Sequence, residues 1–223
     1  MRIQLAAMVL TAAIGGGVLS AAEKPRVDVY LNGSDDSEQL LGPGRALASG
    51  IFEQIGVHLV WHYGELTTAK GTRKGEAQLV FAIRTLAHPL ESATSDALAS
   101  ARIVGTCGTE ICIYEDRLAG FIADHPDWVK VAAAYVLAHE LAHVMQGVAR
   151  HSESGILKAH WTKDDFKAMV FHKLSFTDAD VDLIHRGVEL QLAGRRSGPA
   201  AQRGEGVAEN GGPNAAERVV HLP

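Results

Sequence analysis

The residue types best suited to chemistry in this chain are two histidines and a glutamate within residues 139–143, which read H-E-L-A-H. On an α-helix, His139 and His143 lie on one face, because 3.6 residues make one turn. Both imidazoles can therefore bind one metal ion, and Glu140 can reach a water molecule held at that ion. The spacing predicts a hydrolytic site with Zn²⁺ as the cofactor and Glu140 as the general base.

A third histidine follows at a spacing that suits the same ion. Gly147 stands four residues after His143, where a glycine can end a helix in a left-handed turn and redirect the chain. His151, four residues further on, can then supply a third imidazole, and catalytic zinc commonly has three protein ligands. The predicted metal ligands are therefore His139, His143 and His151. If His151 were an ordinary loop residue, Glu153 would be the next candidate ligand.

The alternative interpretation is that the motif is structural or arises by chance. Against it, the motif falls in the most apolar stretch that is predicted to be helical, where such polar groups are costly to bury unless they bind something. Glu140 could be a buried structural acid, but its place in the motif favours the general base. Six other histidines are expected to be surface or hydrogen-bonded residues: His58, His62, His88, His160, His172 and His185.

The helix that must position these residues is predicted over residues 126–147, with Asp124 suited to cap its N-terminus. Apolar residues cover much of its surface: Val129, Ala132, Ala133, Val136, Leu137, Leu141 and Val144. A helix this apolar is expected to lie buried at the centre of the domain.

Around this helix the sequence predicts one mixed β-sheet covered by helices, which is an α/β (α+β) fold in a single domain. Alternating or continuous apolar residues predict five strands: residues 26–31, 57–61, 77–86, 102–106 and 111–114. The third is expected to be central, because its middle is continuously apolar. Helical spacing and capping boxes predict three further helices: residues 44–55, a helix that begins after Thr162, and residues 178–192 after Thr177. Residues 66–76 are predicted to form a loop.

The only two cysteines are Cys107, directly after the first strand of the predicted hairpin, and Cys112, near the start of the second. In an exported chain they would meet oxidising conditions. A disulfide across the tight hairpin is therefore the preferred prediction. A thiolate ligand to the metal is the alternative, which the nearby second cysteine disfavours.

Residues 139–151, which read H-E-L-A-H-V-M-Q-G-V-A-R-H, resemble the elongated zinc-binding signature of metzincin-type metallopeptidases. One extra residue precedes the glycine and one precedes the third histidine. Together with residues 152–161 (S-E-S-G-I-L-K-A-H-W), the stretch is similar to a group of small exported bacterial zincins. By that match Leu157 takes the place of the Met-turn methionine, and Leu is close to Met in volume. Ala159 takes the place of a tyrosine that steadies the oxyanion in some metzincins, and His160 is a weak substitute.

The resemblance implies a zincin-like domain over residues 23–193 and an exported, zinc-dependent endopeptidase. A zinc-activated water would attack the peptide carbonyl, and Glu140 would take its proton and return it to the leaving amine. An edge strand, with residues 102–106 as the candidate, could hold an extended peptide by strand addition. The alternative from another class is a secreted, zinc-stabilised binding module of the same fold without significant turnover.

Residues 1–22 are predicted to be a signal peptide. Arg2 provides a positive start, residues 5–19 form an apolar run broken by three glycines, and residues 20–22 suit a signal peptidase. An N-terminal membrane anchor is the alternative, but the run is short for a membrane span. We therefore expect a secreted or periplasmic protein without a stable membrane anchor after cleavage.

Charge and composition limit the expected partners. The formal net charge is −5 and no Lys/Arg cluster occurs, which argues against a nucleic-acid partner and leaves a peptide or protein substrate. Residues 194–223, with six glycines and few apolar residues, are predicted to be a flexible tail. The sequence carries no signal for an oligomeric state.

Overall fold

A five-stranded mixed β-sheet organises the computed structural model, which describes residues 24–65, 79–90, 93, 97–104, 107–123 and 126–197. The strands lie in the order β2-β1-β3-β5-β4. Their bounds are β1 Arg26–Asn32, β2 His58–Tyr63, β3 Leu79–Leu86, β4 Ala99–Val104 and β5 Cys107–Tyr114. Only β4 runs antiparallel to its neighbour. The predicted single mixed α/β domain is confirmed, and β3 is the middle strand, as its continuous apolar sequence indicated.

The helices cover the face of the sheet to which the alternate apolar residues of the strands point. Val27, Val29 and Leu31 of β1 are buried there, as period-two side chains on one face should be. The helices are α1 Asp35–Gln54, α2 Glu115–Ala123, α3 Val129–Gln146, α4 Lys163–Val170 and α5 Asp178–Ser197, with a 3₁₀ turn at Pro126–Trp128. Helix α3 packs against α1, α5, β4 and β5, which puts it at the centre of the core.

Helix α1 begins nine residues earlier than the prediction, which placed its start at residue 44. Ser34 and Ser37 form a reciprocal capping box, and Pro43 lies inside the helix. The Gly-Pro-Gly run of residues 42–44 reads as a break in sequence, but packing against α3 maintains the helix through it. Gly44 allows α1 and α3 to pack closely, because a Cβ at this position would lie 2.6 Å from the backbone nitrogen of Ala134.

The predicted disulfide between Cys107 and Cys112 does not agree with the strand that contains them. The prediction ended one strand at residue 106 and began the next at residue 111, which put the turn of the hairpin between the two cysteines, but both cysteines belong to β5. Five steps along an extended strand separate two Cα atoms by on the order of 15 Å, whereas a disulfide requires less than about 7 Å. A bridge would require this segment to leave the sheet. The side chain of Cys107 lies outside the described residues.

Several predicted boundaries shift in the structure. Helix α2 was missed, and the single predicted helix of residues 126–147 is a 3₁₀ turn followed by α3. Helix α5 continues to Ser197, so the first four residues of the predicted tail are helical. The predicted signal peptide, Asp124, residues 66–76 and the rest of the tail lie outside the described residues. Within the described ranges, the helices are too short or too polar to cross a membrane.

We predict opposite stability effects for two glycine substitutions within α1. Gly44→Ala should lower the free energy of unfolding by about 1–3 kcal/mol, because its Cβ would push against the backbone of α3. Gly50→Ala is the matched control: nothing lies within 4 Å of a Cβ there, so it should raise stability by about 0.5–1 kcal/mol. Urea unfolding of both variants measures the two effects. Equal changes would show that α1 and α3 do not approach each other as described.

Candidate metal centre

Helix α3 presents His139, Glu140 and His143 in its last two turns, and all three side chains are fully buried. The helix then ends at Gly147, which has φ 68° and donates its N–H to the carbonyl of His143. This left-handed C-cap is the conformation that glycine adopts most readily, and it turns the chain back towards the helix. The helix end that the sequence predicted is therefore confirmed.

The turn after Gly147 brings the third predicted histidine to the other two. One ring nitrogen from each of His139, His143 and His151 lies within 4.8 Å of the others. These three residues are the only group of potential metal ligands found among the described residues. Glu153, the alternative third ligand, is exposed and does not belong to the group.

Two backbone carbonyls determine which ring nitrogens face the centre. The Nδ1–H of His139 donates to the carbonyl of Ile156 at 2.8 Å, and the Nδ1–H of His143 donates to that of Val148 at 3.4 Å. A carbonyl can only accept, so each ring carries its proton on Nδ1 and leaves a lone pair on Nε2. This is the arrangement typical of metal-binding histidines, whose second nitrogen is oriented by an outer partner.

The two Nε2 lone pairs point towards each other at a distance that suits a shared cation. The Nε2 atoms of His139 and His143 lie 3.1 Å apart. Two acceptors at that distance repel unless a positive ion lies between them. Tetrahedral zinc with bonds of about 2.0–2.1 Å would place two ligand nitrogens about 3.3 Å apart. The spacing of this pair therefore fits a metal ion of this kind, and the third ring nitrogen lies within 4.8 Å of both.

Burial keeps these imidazoles neutral. It lowers the pKa of His139 well below the usual histidine range, and the repulsion that a proton on His139 would meet from a protonated His143 lowers it further. Burial, followed by the charge of His151, lowers the pKa of His143 to about 3. At neutral pH both rings therefore hold free lone pairs, which is the state that binds a metal ion.

The buried carboxyl group of Glu140 has no hydrogen-bond partner in the part of the chain that the structure describes. Both of its oxygen atoms are inaccessible to solvent and make no hydrogen bond within the described residues. Burial raises the pKa of this carboxyl well above its usual value. Leaving such a group unsatisfied is costly, so its presence beside two metal-ligand candidates indicates a function that needs it there. A carboxyl group of raised pKa can both accept and return a proton near neutral pH.

A turn over residues 152–158 orients His139, and this contact was not predicted from the sequence. The carbonyl of Ile156 accepts a second hydrogen bond from Trp161 Nε1 at 3.2 Å. The Trp161 ring also lies edge-on to His139, with ring centroids 5.6 Å apart. Leu157, at the predicted Met-turn position, is buried, and its carbonyl accepts from the N–H of Ser152 at 2.7 Å. The nearby tryptophan was the sequence signal that could have indicated this contact.

The burial of His160 does not support its suggested role as a substitute for an oxyanion-stabilising tyrosine. Ala159 is half-buried, and His160 is exposed to solvent.

A comparison with protein-family models and one with curated proteins each found no match to this chain. The case for a metal centre therefore rests on the geometry of its own residues.

We predict that the chain binds one divalent transition-metal ion and that all three histidines are needed. Changes outside the ligand set usually weaken metal binding about 10–100-fold. A larger loss of zinc affinity is expected for each of the three ligand variants, His139→Ala, His143→Ala and His151→Ala. His88→Ala, a change at an exposed histidine, is the matched control and should leave the affinity unchanged. Titration calorimetry of the metal-free protein measures both. Undiminished binding in any of the three variants would contradict the ligand set.

Proposed function

We propose that this protein is an exported zinc-dependent endopeptidase of the metzincin-like zincin group. The observation that carries the proposal is one centre in which the imidazoles of His139, His143 and His151 converge beside the carboxyl group of Glu140, which has no hydrogen-bond partner among the described residues. Histidine ligands on one helix face with an adjacent glutamate as general base are the combination that H-E-x-x-H metallopeptidases use for peptide hydrolysis. The elongated signature of residues 139–151 and the buried turn that contains Leu157 also support the assignment.

Zinc is the ion that this donor set favours. Three imidazole nitrogens without a thiolate or ligand carboxylate are typical of catalytic zinc, which keeps a fourth position open. His139, His143 and His151 would hold the ion. When bound, zinc would supply Lewis acidity that makes a water more acidic and polarises a carbonyl group.

In this proposal Glu140 moves the proton. Its carboxylate accepts the proton of the attacking water and then donates it to the nitrogen of the leaving amine. Burial of Glu140 favours this role, because it raises the pKa of the carboxyl group. A carboxyl group of raised pKa can both gain and lose a proton near neutral pH. The two neighbouring histidines, held by the carbonyls of Ile156 and Val148, stay neutral and do not compete for that proton.

Strand β4 is suited to hold the substrate. It is one edge of the described sheet, and α3 packs directly against it. The N–H of Tyr114 donates to the carbonyl opposite it at Leu98, which marks that pair as hydrogen-bonded in the antiparallel ladder. Because such pairs alternate, the N–H and C=O groups of Ala99 and Ala101 point away from β5. An extended peptide could bind there as an additional strand. The candidate strand thus comprises Ala99–Val104, whereas the sequence prediction was residues 102–106.

The second candidate function is a zinc-stabilised binding module without significant turnover. The observation that favours it is Ala159, because this residue offers no side-chain donor where some metzincins have a tyrosine for the oxyanion. Such a module would retain the metal centre and the fold but would not cleave peptides.

We predict that Glu140→Gln abolishes peptide hydrolysis while zinc binding persists. Loss of the general base should lower kcat by about 10²–10⁴-fold. Glu153→Gln is the matched control, since this exposed carboxylate lies outside the ligand group. The assay is cleavage of a peptide library, analysed by mass spectrometry with and without a chelator, together with zinc content.

The outcomes of this assay separate the two candidates. Cleavage that a chelator and Glu140→Gln both abolish supports the endopeptidase. Full cleavage by the Glu140→Gln variant would contradict the mechanism. Zinc-dependent stability of the wild-type protein without any cleavage would support the binding module instead.

We also predict that Ala101→Pro weakens turnover of extended peptides without loss of zinc. Proline removes the outward N–H and is tolerated on an edge strand where that N–H faces away from the sheet. One lost hydrogen bond of about 1 kcal/mol should lower kcat/KM about fivefold. Ala101→Gly keeps the backbone N–H and is the control for a change of the side chain at this position. If both variants cleave peptides equally well, β4 does not bind the substrate through Ala101.

A further inference from the structure

Asp180 is a fully buried carboxylate in the first turn of α5, and its Oδ2 atom caps that helix. Oδ2 accepts from the backbone N–H of Thr177 at 3.1 Å and from its hydroxyl at 2.7 Å. In return, the N–H of Asp180 donates to the Thr177 hydroxyl at 3.2 Å. This is the capping box that the sequence predicted, and it explains half of the hydrogen bonds of the carboxylate.

The other oxygen of Asp180 reaches the turn that contains the third metal-ligand candidate. Oδ1 accepts from the hydroxyl of Ser152 and from the guanidinium of Arg150 at 3.3 Å. These two donors are the residues on either side of His151. One carboxylate therefore connects the first turn of α5 to both neighbours of His151.

The four hydrogen bonds account for the burial of this charge. Each carboxylate oxygen accepts two hydrogen bonds, which fills the acceptor positions of the group. Arg150 neutralises the charge from a position in which 47% of its side chain remains exposed, while the Asp180 side chain is 0% exposed. The N-terminus of α5 also favours an anion. A helix cap alone needs none of the contacts to Oδ1, so those contacts require another explanation.

Further contacts attach the same turn to the segment before α5. Ile156, whose carbonyl orients His139, donates its N–H to the carbonyl of Ser175 at 3.0 Å. Gly155 has φ 79°, and a Cβ there would lie 2.5 Å from that same carbonyl oxygen. Gln146, the last residue of α3, donates to the backbone carbonyl of Asp180 at 3.4 Å. The start of α5 is thus the support against which the ligand-bearing turn is held.

We propose that Asp180 is a positioning residue for the metal centre. Through Ser152 and Arg150, Asp180 holds His151 in register with His139 and His143. The inference rests on the proposed metal centre and goes beyond it, because it concerns what makes the site pre-organised. A ligand on a loop binds a metal tightly only when its neighbours limit the freedom of that loop.

The test compares zinc dissociation constants, measured by competition with a chromogenic chelator, for the full chain and three variants. Asp180→Asn keeps the shape of the side chain but loses the charge and one acceptor, and should raise the Kd for zinc about 10–100-fold. Ser152→Ala removes one donor to Oδ1 and should act in the same direction with a smaller effect. Thr177→Val is the matched control, since it impairs the helix cap at Oδ2 and leaves both contacts to Oδ1.

Two further measurements distinguish positioning from a general loss of stability. Thermal unfolding of the metal-free proteins should show Asp180→Asn and Thr177→Val both destabilised, while only Asp180→Asn loses zinc affinity. Cobalt-substituted Asp180→Asn should show weaker visible absorption bands than the wild type, because loss of His151 from the ion leaves a site with fewer protein ligands and more water.

The outcomes are decisive in each case. An unchanged Kd in Asp180→Asn, or an equal rise in Thr177→Val, would overturn the positioning role. If Asp180→Asn does not fold, Ser152→Ala decides, and an unchanged Kd in that variant overturns the inference. A wild-type protein that binds no zinc would instead show that the metal centre itself is wrong, so the two failures can be told apart.

Discussion

The constraint on which this structure depends is the burial of two imidazoles and a carboxyl group within the most apolar helix of the fold. His139, Glu140 and His143 lie among core side chains, where each polar group has lost its hydration. The backbone carbonyls of Ile156 and Val148 satisfy one nitrogen of each ring. Among the described residues, the two facing Nε2 atoms remain available to a cation, and the Glu140 oxygens make no hydrogen bond.

The elements around α3 are shaped by the need to hold it rigidly. Glycines at two helix contacts let backbones approach closely: Gly44 on the α1 side, and Gly187 on the α5 side, where a Cβ would lie 2.1 Å from the carbonyl oxygen of Met145. Gln191 of α5 donates to the carbonyls of Val144 and Met145 at 3.0 and 2.9 Å. These bonds satisfy carbonyls near the C-terminus of α3, directly after His143.

The centre joins three parts of the chain that differ in how they are held. Helix α3 supplies two ligand candidates on a rigid element, and the sheet beneath it provides the open edge of β4. His151 comes from a loop, which has no such regularity. Its neighbours are held by hydrogen bonds to a buried carboxylate on α5. The ligand candidate on the least regular element is therefore supported through its two neighbours by a carboxylate on another helix.

Features that depend on local spacing could be predicted from the sequence alone. The i, i+4 histidines, the left-handed Gly147 and the capping boxes at Thr162 and Thr177 follow from short-range geometry, and the structure agrees with each. The mixed sheet with a central β3 was also predictable, because a continuous apolar run is typical of a strand that lies between two others.

Features that join residues distant in sequence could not be predicted in this way and depend on the packing of the folded chain. The early start of α1 depends on packing of Gly44 against α3, and the cysteines fall in one strand because β4 pairs with residues 107–113. The link between Asp180 and Ser152 spans 28 residues. Local patterns carry no information on such contacts, since the free energy that selects them comes from burial and pairing in the assembled core.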